Sequence, residues 1–102
     1  MAPGSRGRPS WQADGCPPWC VSEHREDDHP DDRFHDSAPA LVPSVLGPDG
    51  VAADLLVVTS RRCDTANDWV FVGHPERAAE GLVLSRESAR RLARAILAQL
   101  DP

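Results

Sequence analysis

The chain has 102 residues, a net charge of −5, and 40% hydrophobic against 26% charged residues. That length holds one small domain at most, and the acidic balance argues against a broad electrostatic grip on nucleic acid. No apolar run is long enough to span a membrane, and the first ten residues lack the apolar stretch of a secretory leader, so the expectation is a soluble cytoplasmic protein without a membrane partner. All 11 basic residues are Arg, which, with heavy Ala, Pro and Asp usage, suggests a GC-rich bacterial genome.

Residues 1–12 read as a disordered tail, in which Arg6 and Arg8 are too few to make a nucleic-acid arm. Residues 13–37 carry the chemistry. Cys16, Cys20, His24 and His35 follow the spacing Cys-x3-Cys-x3-His-x10-His. Two thiolates and two imidazoles complete a tetrahedral shell for Zn²⁺ and leave no position for a reactive water, which points to a structural metal. The spacing differs from that of a DNA-reading zinc finger. Pro17 and Pro18 suit the first turn of a helix, which would set Cys20 and His24 four apart on one face. His29 competes with His35 as fourth ligand, although Pro30 pushes it toward an extended, solvated loop. The alternatives are a pair of partly buried thiols beside surface histidines, or a Cys16–Cys20 disulfide, which a helical i,i+4 pair rarely allows. Seven carboxylates between Glu23 and Asp36 leave this stretch poor in core material, so a metal would have to organise it. One of them, Asp36, is a candidate acceptor for a ligand histidine's free ring N–H.

Residues 38–102 have a different texture. Residues 40–46 form a plausible first strand, pushed toward a sheet edge by Pro39 and Pro43. Gly47-Pro48-Asp49-Gly50 is a turn. Residues 52–60 contain the best strand, Leu55-Leu56-Val57-Val58, followed by a polar connection with an unpaired thiol, Cys63, which reads most simply as a bystander, although its neighbouring arginines could lower its pKa. Trp69-Val70-Phe71-Val72 and Leu82-Val83-Leu84 are further strands. Ser85 reads as an N-cap for a helix over 86–100, with Glu87 in its first turn. Ala89, Leu92, Ala93, Ile96 and Leu100 recur at helical spacing on one stripe. Arg86, Arg90, Arg91 and Arg94 read as a solvated face.

The predicted architecture is α+β: a small antiparallel sheet of three or four strands and one C-terminal helix, preceded by a short zinc-knuckle-like segment. Leu55, Val57, Trp69 and Phe71 are expected on one side of the sheet, and Leu56, Val58, Val70 and Val72 on the other. One helix covers only one side, so Trp19 with the metal segment, and a homodimer or protein partner, are expected to cover the other.

Cys16-Pro17-Pro18-Trp19-Cys20, then His24, Asp31 and His35, resemble a family of short actinobacterial proteins of unknown function, known mainly from Streptomyces and its relatives. The likeness runs from about Gly15 to Leu100 and includes Leu84-Ser85-Arg86-Glu87-Ser88-Ala89 in the final helix. It implies that Cys16, Cys20, His24 and His35 act as a unit, and it implies no activity.

Three functions compete. The first is a zinc-stabilised protein-interaction or accessory regulatory module that is not an enzyme, with Trp11 as a possible partner anchor. The second is a nucleic-acid-binding regulator using the Arg-bearing helix, which the net acidity opposes. The third is a metal-dependent hydrolase with His24, His29 and a carboxylate around an open coordination position, which the small size and the lack of a nucleophile elbow or phosphate loop oppose.

Overall fold

The computed structural model describes residues 8–12 and 15–101. Of the disordered tail expected over residues 1–12, residues 1–7 lie outside the described residues. Five antiparallel strands and a C-terminal helix form the domain: β1 Phe34–Asp36, β2 Ala40–Leu46, β3 Val51–Arg62, β4 Trp69–Gly73, β5 Leu82–Ser85 and α1 Arg86–Leu100. No helix among the described residues is long and apolar enough to cross a membrane.

The 12-residue β3 is the spine of the sheet. β2 pairs along its N-terminal half, with Ala40 opposite Val57 and Leu46 opposite Val51. The intervening turn ends on Gly50, whose φ of 70° suits a residue without Cβ. β1 takes the other end of the same edge, with His35 opposite Arg61. The strand count therefore exceeds the expected three or four, and the extra one is β1, from inside the metal segment. Asp36 faces Ser60 whereas Ala40 faces Val57, so three residues of one chain span two of the other. This bulge is held at Ser37, whose N–H donates to Thr59 O at 2.9 Å and whose Oγ accepts from Thr59 N at 2.9 Å.

On the opposite edge of β3, Val57 faces Val72 and Val58 faces Phe71, and beyond β4 the pair Val70–Leu84 joins β5. Directly opposed residues share a face. Leu55 and Val57 therefore lie with Val70 and Val72, and Leu56 and Val58 with Trp69 and Phe71. This reverses the expected grouping. Alternation defines the two sets within a strand, but a six-residue connection does not fix which set of the next strand joins them.

Ser85 caps α1 as expected: its Oγ accepts from Ser88 N at 3.1 Å, and Glu87 sits in the first turn. The helix does not cover the sheet. Among the described residues no apolar side chain is fully buried, and Leu92, Ile96 and Leu100 on the stripe are 38%, 51% and 71% exposed. The reason is local. Ser85 is both the last residue of β5 and the N-cap of α1, so no connecting segment exists to turn the helix back across the strands.

Candidate metal centre

Pro17 does not open a helix. Its carbonyl accepts from Cys20 N at 3.0 Å, closing a tight turn, and the chain then runs extended: Cys20 bridges Ser37, and Val21 N donates to Asp36 O at 2.9 Å. The free edge of β1 offers backbone partners, and an extended segment satisfies them where a helix would not. The turn and this short pairing bring Cys16, Cys20 and His24 over β1, which supplies His35.

Cys16, Cys20, His24 and His35 each offer one donor atom, and these four atoms lie within 4.8 Å of one another. His24 Nε2 is 3.7 Å from Cys20 Sγ and 3.1 Å from His35 Nδ1. Around a tetrahedral zinc with ordinary bond lengths, neighbouring N and S donors stand about 3.3–3.8 Å apart. The four residues are thus close enough to hold a metal ion.

The surroundings favour the ligand form of the imidazole. His35 is 4% exposed. Burial first, then the nearby His24 and Arg61, pull its pKa below the ordinary value, which favours the neutral ring. Burial chiefly pushes the Cys20 thiol up, aided by Cys16 beside it. Without a cation the Cys20 thiol resists ionisation, and metal binding would expel its proton.

Residues ahead of the motif wall the cluster. Gln12, 5% exposed, donates from Nε2 to Cys16 Sγ at 3.5 Å. Trp11 meets the His24 ring edge-on, donates from Nε1 to Arg25 O at 2.9 Å, and is covered by the Arg33 guanidinium 4.6 Å from its ring centre. Nothing marks Gln12 in the sequence beyond its nearness to Cys16. Trp19 docks the segment on the sheet, with the Arg61 guanidinium 5.6 Å from its ring.

Other candidates lie elsewhere. His29 is exposed, and its Nδ1 accepts from Asp31 N at 3.1 Å to cap a short 3-10 turn, Pro30–Asp32. It is outside the cluster, so the set of His24, His29 and a carboxylate is not assembled. The Asp36 carboxylate accepts from Ser22 Oγ at 3.3 Å. Cys63 follows β3, with its N–H donating to Arg33 O, and lines a small cleft with Trp11, Arg33 and Arg62. Burial, then Cys16 and Cys20, raise its pKa, opposite to the lowering its arginine neighbours suggested.

Fold and site together define a small α+β domain with a clustered Cys₂His₂ set at one end of its sheet. The chain belongs to DUF6907, a domain of unknown function, whose family match spans residues 2–102. No curated protein and no solved structure matches it.

Proposed function

We propose that this protein is a zinc-stabilised interaction or accessory regulatory module of the cytoplasm rather than an enzyme. One observation carries the reading: four donors from a turn, an extended segment and a strand converge within 4.8 Å. Cys16, Cys20, His24 and His35 fill a tetrahedral shell, which leaves the ion a structural role. The segment from Gly15 to Arg33 has no regular element beyond one bridge and a 3-10 turn, so the ion would supply the staple that apolar packing does not. With no position open for substrate at that ion, the domain would act through its surfaces.

The test is metal content. Protein purified without a His tag should carry about one Zn²⁺ per chain. Cobalt substituted for zinc should show the intense visible bands of a tetrahedral site with thiolate ligands. Cys20→Ser and His35→Ala should each lose the ion, whereas His29→Ala should keep it. Reduced protein that neither carries nor takes up zinc would refute the reading.

A further inference from the structure

We propose that two copies of this chain form a two-fold dimer in which α1 of each protomer lies across the aliphatic face of the other's sheet. The inference stands on the sheet and helix alone and does not depend on the metal reading.

The first argument is area. A folded monomer of 11.1 kDa exposes about 5,700 Å², by the usual scaling of surface with mass, whereas this protomer exposes 7745 Å². Crediting the residues outside the description with the full area of an extended chain removes at most about 1,600 Å² and lowers the monomer reference to about 5,200 Å², which leaves an excess of about 900 Å². The surplus is therefore about 900–2,000 Å² per protomer, or about 1,800–4,000 Å² for a pair, which is the range buried by stable dimers.

The second argument is complementarity. The stripe from Ala89 to Leu100 is about 16 Å long. Four strands, β2 to β5, are about 14 Å across. The face bearing Val42, Leu55, Val57, Val70, Val72 and Leu84 has no charged residue until Arg61 at the metal end. The opposite face carries Asp54, and its Phe71 ring already packs on Gly73 and Gly81. Each protomer thus carries both halves of one helix-on-sheet layer, and its own helix, joined directly to β5, approaches β5 and β4 but leaves its stripe exposed. A two-fold exchange satisfies both halves at once, because an isologous contact uses each patch twice. Any other occupant would have to offer a helix-sized apolar stripe and a sheet-sized apolar face together. Arg90 and Arg94, beside the stripe, form no ion pair among the described residues and would sit at the rim, where charge is tolerated.

Sedimentation equilibrium and native mass spectrometry of the full chain test the proposal. The expected species is twice the 11.1 kDa chain mass, persisting after chelation if the sheet stays folded. Ile96→Glu should raise the dissociation constant at least about 100-fold by placing a charge at the centre of the contact, and Arg91→Ala, on the opposite side of α1, should leave it unchanged. Because a dimer of this kind can lack a folded monomer, two measurements accompany the variants. The wild-type midpoint should rise with protein concentration. Isotope-filtered NOEs in a mixed-label sample should connect the Ile96 and Leu100 methyls of one copy to the Val57 and Val70 methyls of the other. A wild-type monomer at ~100 µM, whether its stripe is solvated or awaits a different protein, would overturn the proposal. So would a dimer whose stripe methyls show only intramolecular contacts.

Discussion

The Trp11 ring meets the His24 ring at 88°, with centroids 5.8 Å apart. The indole is itself fixed at both ends, by its bond to Arg25 O and by the Arg33 guanidinium over its face. It therefore sets the orientation of an imidazole whose Nε2 points into the donor cluster. A wall of this kind determines how much ordering a metal must impose when it binds.

Trp11→Ala should weaken zinc binding about 10-fold, because His24 loses the surface that orients it. Trp69→Phe, on β4 and on the other face of the sheet from His35, should leave affinity unchanged. Competition with a chromogenic chelator at fixed pH measures both. Equal affinities for Trp11→Ala and the wild type would show that the indole only covers the site.

Gln12→Leu keeps the side-chain volume but removes the donor to Cys16 Sγ. The expected result is a loss of about 10-fold in zinc affinity and metal release at a higher pH, since zinc held by a shell that has lost a supporting N–H donor competes less well against protons. Acid titrations of the two zinc-loaded proteins, followed by a zinc indicator, compare the release midpoints. Coincident midpoints would assign Gln12 to packing alone.

The members of the donor cluster were legible in the sequence; the route that assembles them was not. Cys16, Cys20, His24 and His35 stand out by residue type and spacing. Pro17 and Pro18 are compatible with both a helical first turn and a tight turn, and the free edge of β1 decides in favour of the turn. β1 itself, Phe-His-Asp, is too short and polar to register as a strand; its pairing with Arg61 creates it. The helix was legible to its termini because Ser85 and Glu87 are local signals. Its departure from the sheet was not, because that follows from a missing connection and leaves no mark on the apolar periodicity. Gln12 and Cys63 reach the neighbourhood of the site through tertiary contacts that no local pattern encodes.

Gly81→Ala, just ahead of β5, should be among the more damaging small substitutions in the domain. A Cβ there would fall 2.5 Å from Phe71 Cε2, 2.8 Å from Cζ and 3.0 Å from Val72 O. Contacts that close force the ring or the backbone to shift, at a cost of about 1–3 kcal/mol. Phe71→Leu shortens the side chain at that point, so the double variant should lose less than the two single losses combined. Denaturant unfolding of the four proteins in a cycle gives the coupling. Additive losses would mean that the carbonyl contact, rather than the ring, forbids the side chain.

The last prediction concerns acid. The Asp68 carboxylate, 7% exposed, pairs with Arg61 from β3 and, at 2.9 Å, with Arg86 in the first turn of α1. Through Arg61 and Trp19 this ties the start of the helix to the segment that carries the donor cluster. The hydrogen bond from Arg61, reinforced by the charges of both arginines and opposed only in part by burial, holds the Asp68 pKa below the ordinary carboxylate value of 3.8. The unfolded chain therefore takes up this proton first as pH falls. The contribution of Asp68 to stability is full above the unfolded value and is lost as pH drops through the folded one. Asp68→Asn removes the charge at every pH and should cost about 2 kcal/mol near neutrality, the scale of a buried hydrogen bond to a charged group. The gap between wild type and variant should then close as pH falls below about 3.8. Urea unfolding with a chelator present, so that metal release does not enter, measures the gap from pH 6 to pH 2. A gap that stays constant across that range would show that Asp68 acts through shape and not through its charge.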